Sequence, residues 1–189
     1  MNAASSATPA SATLAALART SGKAELIGAR IVPLLPTGRQ PSRIAFRIAR
    51  SLDDYSEASG RGEAYADNTG FIVPKLASGR QSFAPDASYK FGPFSANEMR
   101  CLDGAPVFAV EVRSEHDYGP AAEAQMAAKR ADYFEAGTAI VWDVDPLSET
   151  VYAYQADSSE SPVIYQRGDV ADAEPALPGW RITIDQVFG

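Results

Sequence analysis

The sequence predicts an α/β domain built around a mixed sheet, and three observations carry that prediction. Residues 42–53 put Ile44, Ile48 and Leu52 on one helical stripe. Residues 107–113 form an apolar run of strand length. A helix-spaced segment over residues 120–136 joins that run to a second apolar run at 139–145. Helices and strands that alternate in this way belong to α/β architecture.

The elements follow in order. Residues 1–12 are small, polar and aperiodic, with neither the apolar core of a secretory signal nor the repeated arginines of a transit peptide, so a flexible tail is expected. Residues 13–20 read as a short helix. Residues 25–34 read as a hairpin, with Gly28-Ala29 between the apolar pairs Leu26-Ile27 and Ile31-Val32. Pro36, Thr37 and Gly38 break the chain before the helix at 42–53, whose basic edge carries Arg39, Arg43, Arg47 and Arg50. Short extended pieces follow at 63–66, 70–73 and 86–91, the last of them after Pro85. Residues 107–113 are the clearest strand. The helix at 120–136 has proline in its first turn and Gly137 where a helix end favours a left-handed residue. Strands are expected at 139–145, 150–154, 162–166 and 181–184. The expected division is a tail and short helix over residues 1–20 and one domain over residues 21–189.

Composition narrows the function. The chain has 189 residues, of which 46% are hydrophobic and 22% charged, the balance of a soluble globular protein. No apolar run approaches the roughly 18 residues needed to cross a bilayer, so no membrane partner is expected. One cysteine, Cys101, cannot form an internal disulfide, and with one histidine, His116, it cannot build a Cys/His zinc site. A reducing, cytoplasmic setting is the expectation. The net charge of −7 argues at first against a polyanionic partner. The charge is unevenly spread, however: residues 1–142 carry 15 basic and 15 acidic side chains, while residues 143–189 carry two and nine. Nucleic acid stays open as a partner.

The chemistry rests on a few polar residues in apolar settings. Alternation along residues 107–113 puts Glu111 and Arg113 on one strand face, where a surface ion pair is the plain alternative to a site. In the following helix, Ala122, Met126, Lys129 and Tyr133 recur at spacings of four, three and four, so Lys129 interrupts a core-facing stripe. Its ammonium either reaches the edge or meets a carboxylate inside. Asp86 follows Pro85 at the start of an extended segment, where an ordinary turn acid is the plain reading. His116 reads as a loop residue, Asp143 and Asp145 as a strand end at a proline turn, and Trp142, Tyr152 and Tyr154 as cross-strand packing.

Taken together, Pro85-Asp86, Glu111-Val112-Arg113-Ser114, the segment from Lys129 through Tyr133 to Gly137, and the segment from Val141 to Pro146 resemble the Uma-two family. That family is grouped with restriction endonucleases in the PD-(D/E)XK nuclease superfamily. Glu25 to Gly28 and Pro36 to Gly38 resemble its amino-terminal segment, so the likeness spans about residues 20–188. The resemblance implies a restriction-endonuclease-like core, with a helix, a three-stranded antiparallel unit, a helix and a further strand, and extra strands at both ends. It implies that Asp86 and Glu111 bind a metal, that Lys129 serves catalysis, and that Glu25 borders the site with Tyr133 close by. Two departures stand out: Arg113 occupies the position where the superfamily has lysine and cannot act as a base, and residues 39–42 lack the histidine that many members carry there.

A magnesium or manganese ion on Asp86, Glu111 and the Val112 carbonyl would supply the charge neutralisation and hydroxide that phosphodiester hydrolysis requires. Lys129 would orient water or stabilise charge, acting as a base only if burial lowers its pKa. Arg113 would clamp phosphate, and Arg39, Arg43 and Arg47 would contact the DNA backbone. The expectation is a metal-dependent endonuclease acting on DNA, with homodimer formation open. A nuclease-fold binding module without activity is the rival. A two-carboxylate glycosidase is a third reading, with no aromatic sugar platform beside its acids.

Overall fold

A computed structural model describes residues 9–94 and 96–189. Helix α1 (Pro9–Leu17) leads into a hairpin of β1 (Ala24–Ile27) and β2 (Arg30–Pro33). The tail expected over residues 1–12 falls on residues 1–8, outside the described residues, and on the start of α1, where Pro9 suits the first turn. The hairpin turns on Gly28 (φ 56°) and Ala29 (φ 58°), both left-handed, which matches the twist of the flanking strands.

Helix α2 (Arg39–Ser59) buries Ile44, Ile48 and Leu52 as their spacing predicts, and ends at Gly60 with φ 62°. It runs six residues past the expected end because its last turns are polar and carry no apolar period, although Tyr55 packs against Tyr89 with ring centroids 5.5 Å apart. The chain continues through β3 (Glu63–Ala66), β4 (Phe71–Ile72), β5 (Ser82–Phe83), β6 (Ala87–Lys90), β7 (Leu102–Asp103) and β8 (Phe108–Val112). Helix α3 (Pro120–Glu135) then crosses to β9 (Ile140–Asp145), and β10 (Thr150–Gln155), β11 (Val163–Tyr165), β12 (Val170–Asp172), β13 (Arg181–Thr183) and α4 (Ile184–Phe188) complete the chain. The two-residue strands β5 and β7, together with β12 and α4, are too short to leave a periodic signal.

The central sheet has six strands in the order β11-β10-β9-β8-β6-β3. β8 and β9 pair in parallel, from Phe108 opposite Ile140 to Val112 opposite Val144, and α3 supplies the crossover this demands. β3, β6 and β8 form an antiparallel unit. This is the expected α/β fold, a mixed sheet flanked by helices with extra strands at both ends. Among the described residues, no helix is long and apolar enough to cross a membrane.

The two sheet faces differ in kind. One carries Tyr89, Phe108, Val110, Trp142 and Val144 against the apolar stripe of α2 and the carboxy-terminal residues Leu177, Trp180, Ile184 and Val187. Each such side chain contributes about 1.5–3 kcal/mol of burial. The other face joins Ala109 and Val141 to Phe71, Phe83 and Tyr133 in a smaller cluster, with Phe83 stacked on Tyr133 at 4.0 Å. Alternation along β8 and β9 also sends Glu111 and Asp143 to that second face, where α3 lies. It leaves polar groups where a helix would otherwise pack on apolar residues.

Candidate active site

The site lies at the carboxyl ends of the parallel strands β8 and β9, the edge at which open α/β sheets offer binding crevices. The start of α2 reaches the same edge, where Gln40 donates to the Pro146 carbonyl at 3.3 Å. Between them is a cleft of about 1370 Å³, lined by Lys23, Glu25, Arg39, Asp86, Glu111, Lys129 and Tyr133, among others.

Asp86 directly precedes β6. Its N–H donates to the Val110 carbonyl at 3.0 Å, and its Oδ2 accepts from the Val112 N–H at 2.8 Å. Those two contacts bracket Glu111, so the backbone itself draws the two acids together at the strand end. Lys129 projects from α3 onto Glu111 Oε2 at 2.8 Å and Glu25 Oε1 at 3.1 Å. The Tyr133 hydroxyl, one helical turn on, donates to Glu111 Oε1 at 2.6 Å. Of the two readings of Lys129, edge or interior, the structure has the interior one: its side chain is 19% exposed and paired with two carboxylates. Glu25, 2% exposed, also accepts from the Ala84 N–H at 3.1 Å and from Arg80 Nη1, and Arg80 Nε donates to Asp132 at 2.8 Å.

Four members of this network are not singled out by the sequence. Lys23 joins Asp86 Oδ1 at 2.7 Å and Asp67 at 2.6 Å, and Arg80 and Asp132 support Glu25. Lys23 stands two residues before Glu25, just ahead of β1, and that spacing is a usable signal. Asp67, Arg80 and Asp132 carry none, since their partners lie between 44 and 55 residues away along the chain.

The electrostatics follow from this geometry. Burial raises the Glu111 pKa, Lys129 offsets only part of that, and Asp86 and Glu25 raise it further. Burial also pushes Glu25 up, but Lys129, Arg80 and the Ala84 N–H outweigh it and hold the carboxyl below its ordinary value. For Lys129, burial favours the neutral amine, yet Glu111, Glu25 and Asp86 prevail and the pKa lies above that of ordinary lysine. Lys129 is therefore a fixed ammonium and cannot act as a base near neutral pH. Lys23 is held protonated in the same way, burial being outweighed by Asp86 and Asp67.

Two of the arginines expected at phosphate are engaged within the protein. Arg113 gives Nε and Nη2 to Asp143 at 2.7 and 2.9 Å, and Nη1 and Nη2 to Glu123 at 2.5 and 3.2 Å. Its fork is filled by two carboxylates, and Arg130 adds a second cation to Asp143 at 3.2 Å. Arg47 points to the other end of the fold, donating to the carbonyls of Val187 and Phe188 at 3.3 and 2.8 Å, where it satisfies the end of α4. Arg39 lines the cleft, and Arg43 is exposed on α2. His116 is an exposed loop residue at the cleft wall. Asp145 closes the β9–β10 turn, accepting from Tyr118, Leu147 and Ser148. Trp142 is core, whereas Tyr152 and Tyr154 lie under Arg113 and Arg130 at 5.9 and 4.0 Å.

The groups that would hold a divalent cation are the Asp86 and Glu111 carboxylates with the Val112 carbonyl, all of them from residues that line the cleft. Five carboxylates (Glu25, Asp67, Asp86, Glu111 and Asp132) meet three cations (Lys23, Arg80 and Lys129), which leaves a formal charge of −2. Among the described residues no three His, Cys, Asp or Glu side chains converge as a metal cage. Two carboxylates with one main-chain carbonyl, completed by water, suit magnesium or manganese better than zinc.

Comparison with known proteins places this architecture. No curated protein matches the sequence. A solved structure described as "a putative nuclease belonging to DUF820" from Anabaena variabilis superposes with a TM-score of 0.73 over 96% of this chain and 97% of that one, at 17% identity, a likeness that shows the shared fold. Residues 12–185 match the family Uma2, described as "Putative restriction endonuclease". With nearly the whole chain inside that match, the chain belongs to the Uma2 family.

Proposed function

We propose that the protein is a metal-dependent endonuclease that hydrolyses DNA phosphodiester bonds at the Asp86–Glu111 cleft. The observation that carries this reading is the excess of carboxylates over cations in the cluster, in which Asp86 and Glu25 both act on the buried Glu111 carboxyl and raise its pKa. Asp86, Glu111 and the Val112 carbonyl would hold magnesium or manganese. Such an ion, when bound, neutralises the scissile phosphate and lowers the pKa of a water toward neutrality.

The chain's own residues do the rest. Lys129, fixed in its charged form between Glu25 and Glu111, would donate an ammonium N–H to orient a water or to stabilise negative charge developing on phosphate. Tyr133 fixes the rotamer of Glu111 through its hydroxyl. Arg80 and Asp132 anchor Glu25, which in turn positions Lys129. Arg39 at the cleft wall is available to the DNA backbone. Melting with and without magnesium or manganese, run beside cleavage of single-stranded and duplex DNA, tests the reading: a metal-dependent rise in Tm with cleavage supports it, and a metal-insensitive protein without cleavage refutes it.

One observation favours a second reading, a nuclease-fold DNA-binding module without turnover. Arg113 stands where the superfamily has lysine, and its guanidinium is fully paired with Asp143 and Glu123. DNA binding without cleavage in the same assay would select it.

A further inference from the structure

The outer face of α2 bears a second pattern, of which only Arg39 also lines the acidic cleft. Arg39, Arg43, Phe46 and Arg50 recur at spacings of four, three and four, so they form one stripe opposite the buried Ile44, Ile48 and Leu52. All four are exposed, and Phe46 is 59% exposed, on a helix whose remaining large apolar side chains point inward. None of the three arginines makes an ion pair among the described residues, in contrast to Arg80, Arg113 and Arg130. A pocket of about 170 Å³ lies between Pro41, Ser42 and Phe46 on one side and Asp67 and Asp86 on the other. Asp86 also lines the main cleft, so the stripe is continuous with the proposed metal site. The basic run stops at Asp53 and Asp54, one turn beyond Arg50.

From this arrangement we infer that the outer face of α2 is a track for single-stranded DNA. Phe46 stacks on a base, Arg43 and Arg50 flank it with contacts to phosphate, and Arg39 passes the strand to the cleft. The inference rests on the endonuclease reading for its direction and adds the strand state of the substrate. Guanidinium groups spaced along a helix match the charge of a polynucleotide whatever its sequence. An aromatic ring standing free between them needs an unpaired base, because in a duplex the base faces are already stacked on one another. Arg39 to Arg50 spans about 16 Å of helix, a length of several nucleotides of backbone.

The test uses the full chain in metal-free buffer, where DNA is not consumed. Fluorescence anisotropy would follow a labelled oligo-dT, an abasic oligonucleotide of equal length and a duplex of equal length. The wild type should bind oligo-dT more tightly than either of the others. Phe46→Ala should weaken oligo-dT binding roughly tenfold while leaving the abasic strand nearly unchanged, and Phe46→Trp should preserve binding. Because Phe46 is exposed, circular dichroism of both variants should match the wild type. Arg43→Gln with Arg50→Gln should lower the salt slope by about 1.4, the release expected for two phosphates on a single strand. Unchanged oligo-dT binding in Phe46→Ala, an equal loss on the abasic strand, tighter binding of duplex, or no DNA binding at all would each overturn the track. No metal-dependent rise in Tm and no cleavage in the assay for the endonuclease, with Phe46-dependent oligo-dT binding intact, would overturn the endonuclease reading alone.

Discussion

Glu25→Gln is the substitution whose consequences the structure specifies most fully. The carboxylate is 2% exposed and receives Lys129, Arg80 and the Ala84 N–H. The amide keeps the shape but removes the charge, leaving two interior cations with one fewer counter-ion. Removing one partner of a buried ion pair costs about 3–5 kcal/mol. Here Asp132 still holds Arg80 and Glu111 still holds Lys129, at 19% side-chain exposure, so the expected loss is about 2–3 kcal/mol. For a domain of this size that is a fall in Tm of roughly 5–10 °C. The pH dependence has a definite sign. Glu25 has a folded pKa below the ordinary 4.5, so its contribution is complete above that value and is lost as pH falls through the folded value. Urea midpoints for wild type and variant should therefore differ by a constant amount from pH 8 to about pH 5 and draw steadily together as the pH falls below 4.5. A difference under about 0.5 kcal/mol at pH 7, or one that persists undiminished at pH 3, would refute the counter-ion role.

Three further outcomes follow from single contacts. Ala29→Gly should stabilise by about 0.5–1 kcal/mol in urea denaturation, because alanine at φ 58° bears a left-handed penalty that glycine escapes. Gly62→Ala should cost at least about 2 kcal/mol by the same assay: φ is 73°, and a Cβ would meet the Tyr89 ring at 2.6 Å and the Lys90 carbonyl at 2.8 Å. Tyr133→Phe should cost about 1 kcal/mol in metal-free protein through the lost hydrogen bond to Glu111, and calorimetry should find manganese binding weakened severalfold.

The contrast between what is legible in the sequence and what is not has a physical origin. Ile44, Ile48 and Leu52 in α2, the alternation of β8, and Pro120 and Gly137 around α3 are local patterns, and local patterns survive in a linear string. Asp86, Glu111, Lys129 and Tyr133 are each marked by a polar group in an apolar or turn setting, and the fold brings all four to one cleft. Arg80 and Asp132 are invisible because neither interrupts a pattern and their pairing exists only in three dimensions. The partners of Arg113 are hidden in the sequence for a related reason. It shares the Glu111 face, as alternation requires, but Glu123 from the first turn of α3 and Asp143 from the neighbouring parallel strand reach it first. Arg47 shows the same limit: its helical position is the expected one, while the chain end that claims it lies 140 residues away.

A single divalent ion between Asp86 and Glu111 is what the proposed chemistry requires, and anomalous scattering from crystals soaked in manganese would reveal it. A single strong peak is expected about 2.1–2.3 Å from an oxygen of each carboxylate and near the Val112 carbonyl, absent from Glu111→Gln crystals soaked in the same way. A wild-type map with no peak there, or a peak that persists unchanged in Glu111→Gln, would contradict it.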